Sequence, residues 1–242
     1  MDISAVNKLV KLSSRLAVTA AMIREGTCVA DVGCDHGKLS AWLILSGKSR
    51  FLYAIDNSKP SLQKAADLFV NLNITSMTRI IHADGLRLLN AEEVDDIVIA
   101  GLGSDTIEHI ISDTPWLKDE KKHLVLVPNS HQSQLRRYLY KEGFSIQKEL
   151  AVVENNHCYS VMSIVYLGES EDISNILAEI GKISIKDSMS DIYIRKTYLR
   201  AKVVINGLEK AKGYTEEKYN DAKELIEYIE KEYYEVVKDD LC

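Results

Sequence analysis

Five short apolar runs alternate with helical patterns along the first 142 residues of the chain. Continuous apolar strands separated by helices indicate a parallel sheet that is covered on both faces. The predicted strands are 28–33, 51–56, 79–84, 96–100 and 123–128. The predicted helices are 5–24, 38–46, 59–72, 86–92, 104–112 and 131–142. This alternation predicts an α/β fold.

A strand hairpin follows the alternating units. The patterns at 144–154 and 158–167 are separated by three residues, which leaves no room for a crossover helix. Five alternating units closed by a hairpin differ from the two-fold dinucleotide-binding arrangement. They match the seven-stranded, Rossmann-like sheet of class I methyltransferases, which we predict for residues 1–168.

The remainder of the chain has a helical and strongly charged pattern. Apolar residues recur there in steps of four and three, as they do in coiled coils. The two predicted seams are Ile194, Tyr198, Ala201, Ile205 and Leu208, followed by Ala222, Ile226, Ile229, Tyr233 and Val236. Gly213 is suited to ending the first helix and Thr215 to starting the second. We therefore predict a C-terminal helical hairpin, a coiled-coil-like domain over residues 169–242.

Composition excludes several classes of protein. The formal net charge of −6 argues against a wholly basic nucleic-acid binder. Four cysteines without a Cys-x-x-Cys pair predict neither a metal site nor a dithiol, and they favour a reducing cytoplasm. No run approaches the roughly 18 apolar residues of a membrane span. We expect a soluble, cytoplasmic monomer that uses no metal and no membrane.

The turn from Asp31 to Gly37, with the sequence Asp-Val-Gly-Cys-Asp-His-Gly, joins the first strand to a helix. A glycine-containing turn at this point lets backbone N–H groups approach a cofactor closely. The acid and the histidine in the turn suit a cofactor with a positive centre and an amino-acid tail better than one with a pyrophosphate.

Acidic residues recur where the predicted strands end, at Asp31, Asp56 and Asp84. The carboxyl ends of parallel strands face one crevice, and the chemistry of these residues there suits S-adenosylmethionine. Asp56 can accept both ribose hydroxyls, Asp84 the adenine amine and Asp31 the α-amino group. The glycines predicted to contact the cofactor are Gly33, Gly85 and Gly101. Each acid alone is equally explained as a helix cap, but three in register favour a cofactor site.

The chain resembles bacterial tRNA (adenine-22-N1)-methyltransferases over nearly its full length. The matching pieces are Leu12-Ser13, Arg15-Leu16, Asp31-Val32-Gly33, Asp35-His36, Asp84-Gly85-Leu86, Ile99-Ala100-Gly101, Gly103, Pro128-Asn129, Leu135-Arg136 and Gly143-Phe144. The resemblance implies S-adenosylmethionine as cofactor, tRNA as partner and methylation of N1 of an adenine in the D arm. The chain departs from the family pattern at Gly37, Lys38, Ser40 and Ser104, where the family usually has Ala, Tyr, Pro and Gly.

Adenine N1 carries an in-plane lone pair, so methyl transfer to it needs alignment more than a strong base. The candidate catalytic residues are Asp35, His36 and Asn129. Alternative interpretations are that Asp35 caps the following helix, that His36 packs in the interior and that Asn129 is a turn residue.

Charge is segregated in the C-terminal region: residues 182–212 carry a net +5 and residues 216–240 a net −6. A local basic surface is sufficient to bind phosphates. The candidate RNA-binding residues are Lys11, Arg15, Arg195, Lys196, Arg200 and Lys202. Alternatively, these charges pair across the hairpin. Two other functions stay open at this point, namely transfer to a different acceptor and RNA binding without turnover. A dinucleotide oxidoreductase is disfavoured by the missing third glycine.

Overall fold

A computed structural model describes residues 2–184, 188–210 and 216–240. Within them, the strands form one seven-stranded sheet in the order β3-β2-β1-β4-β5-β7-β6. The strands are β1 (Thr27–Val32), β2 (Ser49–Asp56), β3 (Thr78–His82), β4 (Asp96–Ala100), β5 (His123–Val127), β6 (Phe144–Glu154) and β7 (His157–Tyr166). β1 to β5 run parallel, and β7 is antiparallel to β5 and β6. The predicted fold class is confirmed.

Helices cover both faces of the sheet. They are α1 (Ile3–Leu9), α2 (Ser14–Met22), α3 (Lys38–Leu45), α4 (Lys59–Asn71), α5 (Ser104–Ser112), α6 (Gln132–Lys141), α7 (Asn175–Ile180), α8 (Ser188–Lys210), α9 (Glu216–Glu232) and α10 (Tyr234–Val237). Residues of α5 and α6 form a core with one face, and residues of α2, α3 and α4 form a core with the other. The central strands are buried on both sides, which explains their continuous apolar runs. Of the described helices, none is long and apolar enough to cross a membrane.

The prediction of one helix over 5–24 is wrong, because two helices meet at a break between Leu9 and Ser14. Ser13 accepts a hydrogen bond from the backbone N–H of Leu16 and is the N-cap of α2. A serine hydroxyl at this position satisfies a free N–H group of the new helix. The turn spacing of leucines continued through the break, so periodicity alone missed it.

The predicted helix at 86–92 is also wrong. Leu86 and Leu89 are buried in a turn, and a single 3-10 turn follows at Ala91–Glu93. Asn90 and Glu93 form a reciprocal capping box around that short turn. Two apolar residues three positions apart are compatible with a turn as well as with a helix. The capping box at Asn90 then begins the short 3-10 turn.

The strand hairpin is confirmed and is tighter than predicted. Its loop is Asn155 and Asn156, which have φ values of +49° and +64°, and His157 already pairs with Glu154. Positive φ at both loop residues is typical of the type I′ turn, which suits the twist of antiparallel strands. Asparagine tolerates this backbone conformation better than most residues.

The C-terminal helices α8 and α9 pack together and against β6. Their shared core includes Tyr198, Ile229 and, from β6, Ala151. Leu225, outside the predicted seam, is buried, whereas Ile226 within that seam is half-buried. Gly213 and Thr215, the predicted helix end and start, lie outside the described residues. So do Lys186 and Lys212, two bases of the positively charged stretch 182–212. The boundary between residues 168 and 169 stays a prediction.

A buried ion pair fixes these helices onto the sheet. Arg136 of α6 and Glu149 of β6 are buried and 2.6 Å apart. Arg136 also donates to the carbonyl of Ala178 and to Tyr193. Burial opposes the charge of Arg136, but the carboxylate of Glu149 and the hydrogen bonds to Glu149 and Tyr193 outweigh it and raise the pKa of Arg136, which therefore stays charged. Gly181 passes so close to the pair that a Cβ there would collide with Glu149.

Candidate active site

Two adjoining cavities open at the carboxyl ends of β1 to β4. The first, here called the acidic end, encloses about 350 Å³ and the second, the first-turn end, about 260 Å³. The residues that line both are Arg15, Gly33, Asp35 and Ala100. The acidic end also contains Asp56, Asn57, Asp84, Gly85, Gly101, Leu102 and Thr106. The first-turn end also contains Lys11, Asp31, Cys34, His36 and Lys38. The structure therefore brings all six predicted cofactor residues to one crevice.

Asp56 ends β2 and holds the first turn in place. Its Oδ2 accepts the backbone N–H of Asp35 at 3.0 Å, and its Oδ1 accepts that of Ser58 at 2.8 Å. Each carboxylate oxygen can accept a second hydrogen bond, so the side chain still has free acceptor sites toward the cavity. Asp56 thus shapes the turn and presents an acceptor to the crevice.

Three glycines line the acidic end, where the lack of a side chain lets the backbone come close to a bound molecule. Gly33, Gly85 and Gly101 all have positive φ, at +74°, +68° and +95°. A Cβ at Gly101 would lie 3.3 Å from a guanidinium nitrogen of Arg15. A side chain at this position would therefore crowd the arginine and narrow the cavity, which explains the glycine after β4.

Asp31 differs from the other two acids because it is buried, with 3% of its surface exposed. Ser40 Oγ donates to Asp31 Oδ2 at 2.6 Å. Burial raises the pKa of Asp31 to about 6, and the hydrogen bond from Ser40 opposes this increase. Ser40, where the family pattern has proline, is thus the partner of the first acid. Sequence reasoning noted the departure at Ser40 and missed its role.

Asp35 lies in the first turn with φ of +50° and an exposed side chain. The N-cap of α3 is Gly37, so the interpretation of Asp35 as the cap is wrong. Asp35 Oδ1 lies 3.4 Å from His36 Nε2 and 3.4 Å from Ser61 Oγ. Lys64 of α4 lies 3.1 Å from the same imidazole nitrogen.

His36 is half-exposed, so the interpretation that it packs in the interior is also wrong. The first turn therefore presents an acid and an imidazole at the mouth of the crevice, supported from α4. Sequence reasoning missed Ser61 and Lys64, because their contact with the turn depends on how α4 packs.

Arg15 reaches across the crevice from the first turn of α2. Its guanidinium lies 3.4 Å from Asn129 Oδ1 and 4.9 Å from the ring centre of Tyr159. Its backbone N–H donates to Glu154 at 3.1 Å. Its Nε is buried without a hydrogen-bond partner among the described residues. Arg15 is thus a cavity residue whose guanidinium keeps capacity to donate.

Asn129 lies behind this arginine, outside the residues that line the crevice. Its side chain donates to the carbonyl of Gly101, and its backbone N–H donates to that of Leu102 at 2.9 Å. These bonds tie the loop after β5 to the loop after β4. In this structure Asn129 holds the turn and orients Arg15, so direct contact with a substrate is not its observed role.

The basic residues predicted on α8 have partners within the molecule. Arg195 Nε lies 2.6 Å from Asp240 Oδ2, and Arg200 lies 3.3 Å from Glu179. Lys202 donates to the backbone carbonyl of Asp240 at 2.8 Å. The alternative in which charges pair across the hairpin describes Arg195, whereas the partner of Arg200 lies in α7, before the hairpin. Lys196 differs, because it donates to the carbonyl of Asn156 in the strand hairpin.

A second cleft of about 370 Å³ lies between α6, α7, α8 and α9. In its lining Arg200 pairs with Glu179 and Arg136 with Glu149, and Lys218 and Asp221 are the other charged groups. The crevice at the strand ends carries acids and glycines aimed into it, and we place the candidate site there. No group of three or more His, Cys, Asp or Glu side chains placed to hold a metal occurs in the described parts of the chain.

A family model described as a methyltransferase domain matches residues 12–162, more than half of the chain. The chain belongs to this methyltransferase family. The tRNA (adenine(22)-N(1))-methyltransferase of Bacillus subtilis strain 168 is 32% identical to it over 152 residues. That alignment covers 63% of this chain and 64% of the relative, so the match spans somewhat less than two thirds of the relative's length.

Solved structures extend the similarity to the C-terminal helices. The crystal structure of the B. subtilis M1A22 tRNA methyltransferase superposes with a TM-score of 0.71 at 25% identity, covering 95% of this chain and 98% of that one. An M. capricolum homologue of that enzyme, solved with S-adenosyl-homocysteine, gives a TM-score of 0.75 at 25% identity, covering 93% and 99%. The resemblance predicted from the sequence motifs is thereby confirmed.

Proposed function

We propose that this family member transfers a methyl group from S-adenosylmethionine to N1 of an adenine in tRNA, at position 22 of the D arm. The observation that carries the proposal is the crevice in which Asp31, Asp56 and Asp84 lie at or just beyond the carboxyl ends of three neighbouring strands, around Gly33. The names of the B. subtilis and M. capricolum relatives support both the cofactor and the acceptor.

The residues present fit S-adenosylmethionine. The acidic end, at about 350 Å³, lies within the range of about 300–1,000 Å³ that is usual for small-molecule sites. We expect Asp56 and Asp84 to accept hydrogen bonds from the ribose hydroxyls and the adenine amine, and Asp31 to accept from the ammonium group. Among the described residues that line the acidic end, Arg15 is the one cationic side chain, which suits the carboxylate of the methionine portion.

When bound, S-adenosylmethionine supplies an electrophilic methyl group on a positively charged sulfur. The carboxylates of the acidic end favour that charge, and the glycine turns let the backbone close around the cofactor. Adenine N1 attacks through its own lone pair, so the chain has to align the base and exclude water rather than remove a proton.

Asp35 and His36 occupy the mouth of the crevice, where the acceptor would enter. The exposed carboxylate of Asp35 can accept a hydrogen bond from the exocyclic amine of adenine and favour the positive charge that develops on the methylated ring. N1 lies on the Watson–Crick edge, so the target base must be unpaired or turned out of its helix. Lys11, Lys38 and Lys64, all exposed, can hold the phosphates beside such a base.

The deciding experiment is incubation of the protein with unmodified tRNA and labelled S-adenosylmethionine, followed by digestion to nucleosides. We expect the label in 1-methyladenosine, and we expect it to be lost from a tRNA whose adenine 22 is replaced by guanine. The substitution of adenine 22 is a matched control, since it removes the base that carries the acceptor atom and keeps the rest of the tRNA.

Two outcomes would replace the proposal. Label in another nucleoside or in a small molecule would keep the cofactor and change the acceptor. Binding of cofactor and tRNA without transfer would make this chain an RNA-binding protein that retains the fold. A tRNA substrate is also consistent with the cytoplasm predicted from the cysteine content.

A further inference from the structure

The strand hairpin of β6 and β7 extends beyond the carboxyl edge of the sheet. β5 pairs with β7 up to Leu126 and Met162, but β6 and β7 continue together to Glu154 and His157. Five more residues of β7 thus extend past its last pair with β5, roughly 17 Å at the usual rise per residue. This overhang, residues 150–161, stands at the edge where the candidate active site opens.

One flank of the overhang contacts Arg15, which lines the crevice. The ring of Tyr159 lies under the guanidinium of Arg15, and Glu154 accepts the Arg15 backbone N–H. Burial opposes ionisation of Glu154, but the hydrogen bonds from the Arg15 backbone and from Ser13, together with the charge of Arg15, outweigh it and lower the pKa of that carboxyl group. The overhang is therefore fixed to a residue that lines the cavity.

The other flank carries positive charge from α8. Lys196 is exposed and donates to the carbonyl of Asn156, at the turn of the overhang. A backbone carbonyl carries no net charge, so the charge of Lys196 is not neutralised by this bond. Arg195, the next residue back, points to Asp240 instead. Lys196 thus brings an ammonium group to the turn of the overhang.

The tip between these flanks is polar and exposed. Asn155, Asn156 and His157 are exposed, and the ring of His157 lies 6.4 Å from that of Tyr159. Exposed amides, an imidazole ring and a nearby ammonium group are the means by which proteins hold single-stranded RNA, through phosphates and stacked bases. Glu154 and Tyr159, on either side of the tip, contact Arg15 of the crevice that would receive the flipped base.

We propose that the tip of this hairpin is an RNA-docking element, in which Lys196 binds a phosphate and His157 stacks on a base next to the target. The inference rests on the proposed function, because it assigns part of the surface that would hold that RNA. It also ranks the basic residues of α8: Lys196 contacts RNA, whereas Arg195 serves the packing of the C-terminal helices.

Fluorescence anisotropy with an unmodified tRNA transcript tests the proposal, with S-adenosyl-homocysteine present to fill the cofactor site. His157→Ala and Lys196→Ala should each weaken tRNA binding about three- to tenfold, and Lys196→Ala should reduce the slope of log Kd against log salt by about one. Arg195→Ala is the matched control, one residue away on the same helix, and should change tRNA affinity less than twofold. Both tip side chains are exposed, and thermal unfolding with and without cofactor checks that each variant is folded.

The outcomes separate this inference from the proposed function. If the wild-type chain methylates tRNA while the tip variants bind it as tightly as wild type, the docking role of the tip is wrong and the function stands. If Arg195→Ala weakens binding more than Lys196→Ala, the ranking of the helix is wrong. If the wild-type chain neither binds nor methylates tRNA, the proposed function itself is overturned.

Discussion

Of the three acids in the crevice, Asp31 should contribute most to the pH dependence of cofactor binding. It is buried beside Ser40, and burial raises its pKa to about 6. The ammonium group of S-adenosylmethionine favours the ionised carboxylate, so binding should tighten as the pH rises through 6 and then level off. Isothermal titration with S-adenosyl-homocysteine between pH 5 and pH 8 measures this dependence.

Asp31→Asn is the control for that titration, because it keeps the shape of the side chain and removes the titrating group. Its cofactor affinity should be weak and nearly independent of pH between 5 and 7. Ser40→Ala should move the midpoint upward, since it removes a hydrogen bond that favours the charged form. A midpoint that stays near 6 in Asp31→Asn would show that another group titrates.

Asp35 allows binding and transfer to be separated. Its φ of +50° is tolerated by asparagine and strained for alanine, so Asp35→Asn removes the charge and retains the turn. We expect kcat to fall about 10- to 100-fold, the equivalent of about 1.4–2.7 kcal/mol of transition-state stabilisation, with cofactor affinity within twofold of wild type. Single-turnover transfer to tRNA measures the rate. An unchanged rate would remove Asp35 from the acceptor side.

At the scale of elements, the junction of α3 and α4 depends on one glycine. Gly37 has φ of +69°, and a Cβ there would lie 2.9 Å from Ala65 and Phe69 of α4. Gly37→Ala, which restores the residue of the family pattern, should therefore destabilise this chain by about 1–3 kcal/mol through strain and overpacking. Urea unfolding measures the change.

Gly47→Ala is the matched control for that substitution. Gly47 has a similar φ of +77°, but a Cβ there would meet nothing within 4 Å. The Gly47→Ala variant should lose only the part of the free energy of unfolding that reflects backbone strain, about 1 kcal/mol. Equal losses at the two sites would show that the contact with α4 contributes nothing.

The ion pair of Arg136 and Glu149 joins the C-terminal helices to the sheet. Arg136→Met leaves Glu149 buried and uncompensated, and we expect a loss of about 3–5 kcal/mol in the free energy of unfolding. Adding Glu149→Leu should recover part of the loss, because the second substitution removes the unpaired charge. Denaturation of the two single variants and the double variant tests this coupling. A double variant as unstable as the sum of both single changes would contradict it.

The local pattern of apolar residues predicted the strands well, but it predicted poorly where helical patterns are interrupted. Buried strands are continuous apolar runs, so β4 and β5 could be placed closely from the sequence. The break before Ser14 and the turn after Leu86 depend on a single cap or turn residue within a periodic run. The shared crevice of the three acids followed from strand parallelism, because parallel strands end at the same edge.

Contacts between distant elements could not be predicted in this way. Asn129 was expected at the acceptor, yet it binds the loop after β4 and the guanidinium of Arg15. The role of Ser40 could be recognised only from the distance between its hydroxyl group on α3 and the carboxylate of the buried Asp31. Such pairings depend on how whole elements pack, and residues from opposite ends of the chain carry no local pattern that reveals them.

At the scale of the whole molecule, charge is distributed to favour one face for RNA. The net charge of −6 repels a polyanion at long range. The acids of the C-terminal region neutralise part of α8, as Asp240 does for Arg195. Lys11 and Lys38 line the first-turn end, Lys64 lies beside His36, and Lys196 lies at the hairpin turn. These bases offer RNA a local attraction near the surface where transfer would occur.

This arrangement predicts that salt acts on tRNA binding and hardly on cofactor binding. If about three phosphates are contacted, raising the salt from 50 to 200 mM should weaken tRNA binding about 40-fold, because each contact releases counterions. Cofactor affinity should change less than twofold, since its charged groups lie inside a narrow crevice and are screened less. Anisotropy and calorimetry at matched salt concentrations measure the two responses. If both affinities fall together, salt acts on the fold or on the cofactor site, and the basic rim does not hold the RNA.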